Sequence, residues 1–575
     1  MSFFKSLVLY IVPFTFLIFS CNKPNKQGAD MIIYGGPIYT INDKQPNAEA
    51  VVISGDSILY VGDYKSAIDY KQEKTQLINL EGKTMTPGLI EGHGHFMRMG
   101  YNELNIDLLN TTSYQEMIDA VEATVKITPP GEWIVGRGWH QSKWTDMPKD
   151  TIGGFQTHHR LSAVSPNNPV YLGHASAHAG FANKRAMEIA GVFNNSQENG
   201  QEKIVEGGEI VKDALGNPTG IFNERAMTYI TNHIPKTTPE RDIKAFEMAI
   251  NNCHKNGITG FHDAGIDRET IKLFEQMKKD GKLNLRLYAM ITGWDKELME
   301  EWFEKGPMID KDNLLTIRSL KLNCDGALGS RGAWLIEPYS DRPNHYGHET
   351  LPMEFVKESA LNGLKNGFQV CAHAIGDRAN REILDRYESA FKELPQKSID
   401  HRFRIEHAQH LHPEDLPRFA ELKVIPAMQA IHMSSDRPWA IDRLGEKRIK
   451  EGAYMWQKLL KSGVPIINGT DVPVEPINPI ANFYASISRK TLKGLPKNGY
   501  EPEQKMTRMQ ALRSYTLDAA YGAFEEKIKG SIEVGKLADF TIFDKNIMEI
   551  DENKILDTEV IMTIFNGEIV YSKKN

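Results

Sequence analysis

The sequence predicts an α/β chain: a (β/α)8 TIM barrel with a large insertion after its first strand, plus a small β-sandwich domain built from both termini. Three observations predict it. Apolar strands alternate with helical segments through the middle of the chain. Eight such strands can be counted there, the number that closes a parallel barrel. Short strands separated by Gly, Asp and Asn turns recur at both ends.

The first residues stand apart. Lys5 precedes an apolar run from Leu7 to Phe19, too short for an ordinary membrane span but laid out as a secretory signal. Ile18-Phe19-Ser20-Cys21 resembles a bacterial lipobox, which implies a signal peptide over 1–21 and lipidation of Cys21. The polar stretch over 22–30 then serves as a tether. The expected location is the bacterial cell envelope, as an exported, lipid-anchored lipoprotein. An uncleaved anchor or an ordinary cleaved signal would also export the chain. Cys253, Cys324 and Cys371 are too few and too far apart for a disulfide framework and read as buried thiols.

Residues 31–86 and 530–575 form the predicted sandwich. Met31–Tyr34, Ala50–Ile53 and Ser57–Gly62 supply strands on one side. Asp539–Phe543, Val560–Phe565 and Glu568–Tyr571 supply them on the other, with Asn566-Gly567 as a hairpin turn. Residues 87–529 hold the barrel. Its strands are read at Pro87–His95, Gly257–Phe261, Leu285–Met290, Ile317–Lys321, Phe368–His373, Phe403–His407, Val424–Met428 and Val464–Asp471. The insertion, about 100–235, has strands of its own and should cap the barrel mouth, where loops after strands build active sites.

Candidate ligands fall at these strand ends. His93 and His95 are two residues apart on a strand and so share a face, where two neutral imidazoles can meet one cation. Lys321 ends the fourth strand, His373 the fifth, His407 the sixth and Asp471 the eighth. A net charge of −7 without a basic stripe argues against nucleic acid, and no loop is built to cradle phosphate.

With those residues in view, Pro87-Gly-Leu-Ile-Glu-Gly-His-Gly-His95, His373-Ala-Ile-Gly-Asp377, Glu406-His407 and Gly469-Thr-Asp471 resemble motifs of the metal-dependent amidohydrolase superfamily. Arg137-Gly-Trp139, Ala177-His-Ala179, Asn217-Pro-Thr-Gly220 and Lys321-Leu-Asn-Cys-Asp-Gly326 resemble its YtcJ-like (amidohydrolase family 3) branch, a group related to N-substituted formamide deformylase. Gly530–Phe540 resembles the return into the small β-domain, so the likeness covers nearly all of the mature chain.

The resemblance implies a hydrolase that cleaves a non-peptide C–N bond, of amide, N-acyl or N-formyl type, with metal-activated water. The cofactor is a divalent metal, zinc by the chemistry of imidazole and carboxylate ligands, as one or two ions. His93, His95, Lys321, His373, His407 and Asp471 make up the candidate metal set, with Asp471 also the acid/base residue. A lysine ammonium has no lone pair, so the resemblance implies a carboxylated Lys321. An ion pair with Asp325 or a substrate-binding cation stay open, and Glu224 stands by as another contributor.

His178, His262 and Trp139 are candidate substrate-binding residues: His178 for a carbonyl or oxyanion, His262 at the mouth, Trp139 as an apolar wall with Trp144 and Trp334. Core packing is the competing reading for each. Other readings of the whole are hydrolysis of esters or cyclic amides, ring deamination, a non-catalytic surface binding protein, or a glycosidase using Glu406 and Asp471. The expected partner is a small-molecule substrate, with the membrane touched only through the lipid anchor and self-association left open.

Overall fold

The computed structural model describes residues 28–192, 197–198, 201–202 and 207–573. The expected signal peptide, Cys21 and most of the tether lie outside the described residues. Among the described residues no helix is long and apolar enough to cross a membrane.

The eight counted strands form one parallel sheet. They are Leu89–Gly94, Ile258–Ile266, Arg286–Thr292, Leu315–Asn323, Gln369–Ala374, Arg404–His407, Ile425–Met428 and Ile467–Asn468, numbered 1 to 8 below. Each pairs with the next in chain order. Alternation divides their side chains between two cores. On strand 3, Leu287, Ala289 and Ile291 face the surrounding helices, while Met290 turns inward beside Ala264 and Cys371.

The sheet is nearly closed into a barrel. Strand 8 meets strand 1 through the Asp471 N–H, which donates to the His93 carbonyl at 2.8 Å. Two glycines allow this approach. A methyl group on Gly92 would overlap Ile467 and the Asn468 carbonyl, and one on Gly469 would strike the His93 backbone.

The helices outside the barrel carry ordinary end signals. In Pro239–Lys255, the Thr238 side chain accepts from the Arg241 N–H and Pro239 opens the first turn, where a missing N–H costs nothing. Phe246, Ala249, Ile250 and Cys253 lie on its buried face.

Between strands 1 and 2 the chain builds a second sheet of six strands, Ile106–Asp107, Ile134–Trp139, Val170–His174, Ala179–Ala182, Gly208–Lys212 and Pro218–Glu224. It has cores of its own, one around Trp139, Leu172 and Phe181, the other around Tyr171, Met187 and Phe222.

A third sheet joins the two ends of the described chain. Thr84–Pro87 pairs antiparallel with Phe540–Phe543, and one apolar cluster mixes Met31, Ile33, Val51 and Ile53 with Phe540, Ile542 and Ile564. The alternate residues Ile32, Ala50 and Val52 pack with Ala67 in a separate cluster. Arg286, at the start of strand 3, donates to both Asp539 carboxylate oxygens, at 2.6 and 2.9 Å, tying this sheet to the barrel.

Gly92→Ala should test the closure. The added methyl forces strands 1 and 8 apart, an overpacking cost of about 1–3 kcal/mol. A lower thermal midpoint, together with weaker metal retention because His93 adjoins the seam, is the expected outcome. An unchanged midpoint would show that the seam tolerates separation.

Candidate active site

The ends of strands 1, 4, 5, 6 and 8 face one space at the C-terminal rim of the barrel. His93 is buried and His95 half-buried; their Nε2 atoms lie 3.5 and 3.3 Å from the same Asp471 oxygen, Oδ1. The His407 ring packs against those of His93 and His373, with centroids 4.9 and 4.4 Å apart. The chain reaches these positions through backbone that L-residues seldom adopt: φ is +73° at His407, +41° at Ala408 and +56° at Asp471. Such outliers cluster where a side chain must be aimed against local preference.

A buried ion pair sits beneath the histidines. Arg404 donates to both Glu406 oxygens, at 2.7 and 2.9 Å, and Glu406 accepts in turn from His93 Nδ1. Arg404 also donates to the Gly92 carbonyl at 2.8 Å and to His262 Nδ1 at 3.1 Å. His407 Nδ1 donates to the Gln429 side-chain oxygen at 2.7 Å. Both imidazoles are thereby held with Nδ1–H engaged and the Nε2 lone pair available, the arrangement that orients a metal-bound histidine.

Electrostatics agree with that assignment. Burial pushes the pKa values of His93, His95, His373 and His407 down, that of His95 to about 3, so all four are neutral near pH 7. Burial raises Asp471, but the hydrogen bond to His95 and the surrounding imidazoles outweigh it and hold the carboxyl well below its usual range. Glu406, despite burial, is drawn down to about 2 by Arg404 and His93. Neutral imidazoles around an ionised carboxylate are a donor set for a divalent cation.

Hydrogen bonding supplies the test of fit. His93 Nε2 and His432 Nε2 are buried in this cluster without a hydrogen-bond partner, while His373 Nε2 and Asp471 Oδ1 have only the contacts to Asp325 at 3.2 Å and to His95 at 3.3 Å. Leaving one such atom unsatisfied costs about 1–3 kcal/mol, so the two together favour a cation among them. Two groups bring three ligand atoms within 4.8 Å of one another: His93, His95 and Asp471, and His407, His432 and Asp471. The residues present fit a divalent metal.

His373 stands slightly aside. Its Nε2 is 3.2 Å from Asp325, whose carboxylate also accepts from the N–H groups of Trp334, Ile375 and Gly376. Asp325 is thus engaged by backbone and by His373, and the ion pair with Lys321 that the sequence left open is not formed. Lys321 is buried and lines a lobe of about 270 Å³ with His95, His178, His373, His407 and Asp471; burial pushes its pKa down. A second, narrower lobe of about 70 Å³ runs past His140, His174, Leu328, His432 and Trp439.

The segment between strands 1 and 2 contributes directly to these walls. His178 lines both lobes, with Nδ1 2.9 Å from a Glu224 oxygen. Burial lowers the His178 pKa, but Glu224 more than offsets this and raises it above the ordinary imidazole value. Glu224 therefore serves His178, 2.9 Å away, and belongs to neither three-ligand group.

Two expected substrate contacts lie away from the cavity. Trp139 is fully buried in the insertion core, its Nε1–H donating to the Leu172 carbonyl at 2.8 Å; its ring backs His174, 4.7 Å away, and lines neither lobe. Trp144 shares that core, and Trp334 lies under the Arg378 guanidinium, 4.6 Å from its ring. His262 does not end strand 2, which runs on to Ile266, so it sits below the rim inside the barrel, against Arg404 and Tyr288. The aromatic walls are Trp294 and Trp439 instead.

The glycosidase reading loses its second carboxylate, because Glu406 is fully buried and committed to Arg404. Residues that the sequence reading passed over are Arg404 and Glu406 as a support, Gln429 and His432. The first pair had a signal: Arg404 and Glu406 are two apart on a strand and so share its inner face. His432, four residues past strand 7, carried none.

The geometry agrees with what the chain is similar to. Residues 76–571 match the model of the amidohydrolase family, which spans most of the protein. The protein named amidohydrolase YtcJ from Bacillus subtilis is 30% identical over 94% of this chain and 99% of its own length. The N-substituted formamide deformylase of Arthrobacter pascens is 25% identical, over 95% of this chain and 99% of its own. A solved structure, an uncharacterised metal-dependent hydrolase of Pyrococcus horikoshii, superposes with a TM-score of 0.72 at 25% identity, covering 91% of this chain and 99% of that one. The chain belongs to the amidohydrolase family and is a hydrolase acting on carbon–nitrogen bonds.

Glu406→Gln should separate support from ligation. It leaves Arg404 buried without its counter-charge, a loss of about 3–5 kcal/mol, and loosens the His93 ring enough to weaken metal binding about 10–100-fold. Thermal unfolding and metal titration read the two effects; normal metal affinity would remove Glu406 from the support of His93.

Proposed function

We propose that this amidohydrolase cleaves a non-peptide amide, N-acyl or N-formyl bond of a small molecule, using one or two zinc ions. The observation that carries the reading is the ionised Asp471 carboxylate set among neutral imidazoles at the wall of a cavity. The name of the Arthrobacter relative, a formamide deformylase, supports an N-acyl substrate.

A divalent ion held by His93, His95, His407 and Asp471 would supply Lewis acidity, polarising a carbonyl and making water acidic enough to ionise near neutral pH. Asp471 takes the proton released by the attacking water and returns it to the leaving amine. His178, whose protonated form Glu224 favours, presents in that form its remaining N–H to the oxygen on which charge builds as the carbonyl carbon becomes tetrahedral. The insertion excludes bulk water and encloses the substituents, with Trp439 and Leu328 as apolar surface in one lobe and Trp294 in the other. Lys321 faces the larger lobe with its basicity reduced by burial, which favours carboxylation by CO₂; the carbamate would then offer oxygen donors to a cation.

The lipobox-like stretch ending at Cys21 supports export and lipid anchoring, with the catalytic body outside the cytoplasm. The mixed apolar cluster of the end sheet supports a sandwich unit beside the barrel.

Three measurements follow. Zinc removal by a chelator should abolish turnover of an amide and N-formyl substrate panel, with recovery on adding zinc back; turnover that survives full metal removal would overturn the mechanism. Asp471→Asn should keep at least one bound ion yet lose about 10²–10⁴ in kcat. Near-normal kcat in that variant would take Asp471 out of the proton transfer. His178→Ala should lower kcat about 10²–10³-fold with metal content unchanged, the loss expected for an oxyanion donor.

A further inference from the structure

A separate cavity of about 720 Å³ shares no lining residue with either lobe of the active site. Its walls come from residues 336–343 after strand 4, from Asp377 at the head of the helix Asp377–Glu393, from residues 410–414 after strand 6, and from residues 444–452 at the end of the helix Ala430–Gly452. Ile375 and Gln409 line the narrow lobe, whereas Asp377 and His410 line the cavity. A single layer of chain therefore divides the two spaces. The His410 N–H donates to the Ile375 carbonyl at 3.0 Å and fastens that layer together.

Two buried polar groups form the cavity floor. His410 is 2% exposed, and neither ring nitrogen has a hydrogen-bond partner. Its Nε2 faces Asp377 Oδ2 at 3.5 Å, longer than an ordinary hydrogen bond. Gly452 leaves the other side of the ring without a covering side chain, since a methyl there would come within 3.1 Å of Nδ1. In its neutral form the imidazole offers one acceptor lone pair, whichever nitrogen bears the proton. Asp377 Oδ1 accepts from the Ile336 and Arg378 N–H groups, both at 2.9 Å. Burial raises the Asp377 pKa, but His410 and these N–H groups outweigh it and hold the carboxyl below its ordinary range.

The rest of the lining tells which ligand suits that floor. Five carboxylates face the cavity, those of Glu337, Asp377, Glu414, Glu446 and Glu451, against the cations of Lys447 and Arg448. Lys447 is exposed. Arg448 is spent within the wall, donating to the carbonyls of Leu444, Glu337 and Pro338 and to the Ser340 hydroxyl at 2.6–3.1 Å. Ile336, Pro338, Leu411 and Leu444 add apolar surface. An ionised carboxylate beside an imidazole lone pair, under an acidic rim and between apolar walls, matches a cationic donor on a hydrocarbon body.

We propose that this cavity binds a primary organic ammonium ion, with its charged head on Asp377 and His410 and its hydrocarbon part against Leu411 and Leu444. Cleavage of an amide releases an amine, so the ligand class coincides with that of a product. That coincidence rests on the proposed hydrolase reading, whereas the binding site rests on the cavity alone. An occupant here touches the far side of the two loops that follow His373 and His407.

Calorimetric titration of the zinc-loaded full chain with hexylammonium, hexan-1-ol and hexanoate tests the proposal, with thermal melts to establish folding. One equivalent of hexylammonium should bind, with the alcohol and the carboxylate at least about tenfold weaker, the loss expected when a charged hydrogen bond is removed. Asp377→Asn and His410→Phe should each weaken the ammonium at least about tenfold, Glu337→Gln combined with Glu451→Gln should weaken it less, and Asp471→Asn should leave it unchanged. If the floor variants fail to fold, the exposed rim pair decides, and unchanged affinity there overturns the proposal. Absence of saturable binding overturns it, as does equal binding of the alcohol, or a loss in Asp471→Asn with none in Asp377→Asn, which would put the amine in the active site. Binding is read without turnover: amine bound here by a chain that hydrolyses no amide sinks the hydrolase reading alone, and turnover without amine binding sinks this proposal alone.

Discussion

The contact on which the site depends is a pair of backbone hydrogen bonds, from the Asp471 N–H to the His93 carbonyl and from the His95 N–H to the Val472 carbonyl. They bring strand 8 against strand 1 and join candidate ligands from opposite ends of the barrel. Gly92 and Gly469 are required for them by direct steric exclusion, since side chains at either position would occupy the space of the other strand. The family motifs around His93 and Asp471 therefore place candidate ligands and the closing contact on adjacent residues.

Below the seam, charge is organised in layers. Arg404 and Glu406 form a desolvated pair whose partners are used up: Arg404 reaches Glu406, Gly92 and His262, and Glu406 reaches His93. Above it the imidazoles are neutral because burial disfavours their charged form. Such a pair contributes little net stability, but it fixes which nitrogen of His93 points upward. The candidate ligands are thus oriented from beneath, and the cavity side is left to His178, Trp294, Trp439 and the other lining groups.

Much of this could be read in the sequence, because strand ends are marked by composition. All eight strands were legible as apolar runs, and His93, His95, His407 and Asp471 followed from their positions at strand ends. The misplacements have physical causes. His262 looked terminal because it follows the apolar run ending at Phe261 and precedes Asp263, whereas strand 2 continues to Ile266 and carries the ring below the rim. Trp139 was read as a pocket wall, but its indole N–H found the Leu172 carbonyl within its own sheet. His432 was invisible because its position is set by Asn468 and Asn482, through contacts that no local pattern records.

The central claim is that His93, His95 and Asp471 share a cation. Anomalous diffraction from crystals of the chain, collected on either side of the zinc absorption edge, addresses it most directly. The account expects a peak of metal strength at coordination distance, about 2.0–2.2 Å, from His93 Nε2, His95 Nε2 and a carboxylate oxygen of Asp471. Crystals of catalytically active protein with no such peak, or with the metal elsewhere, would contradict it.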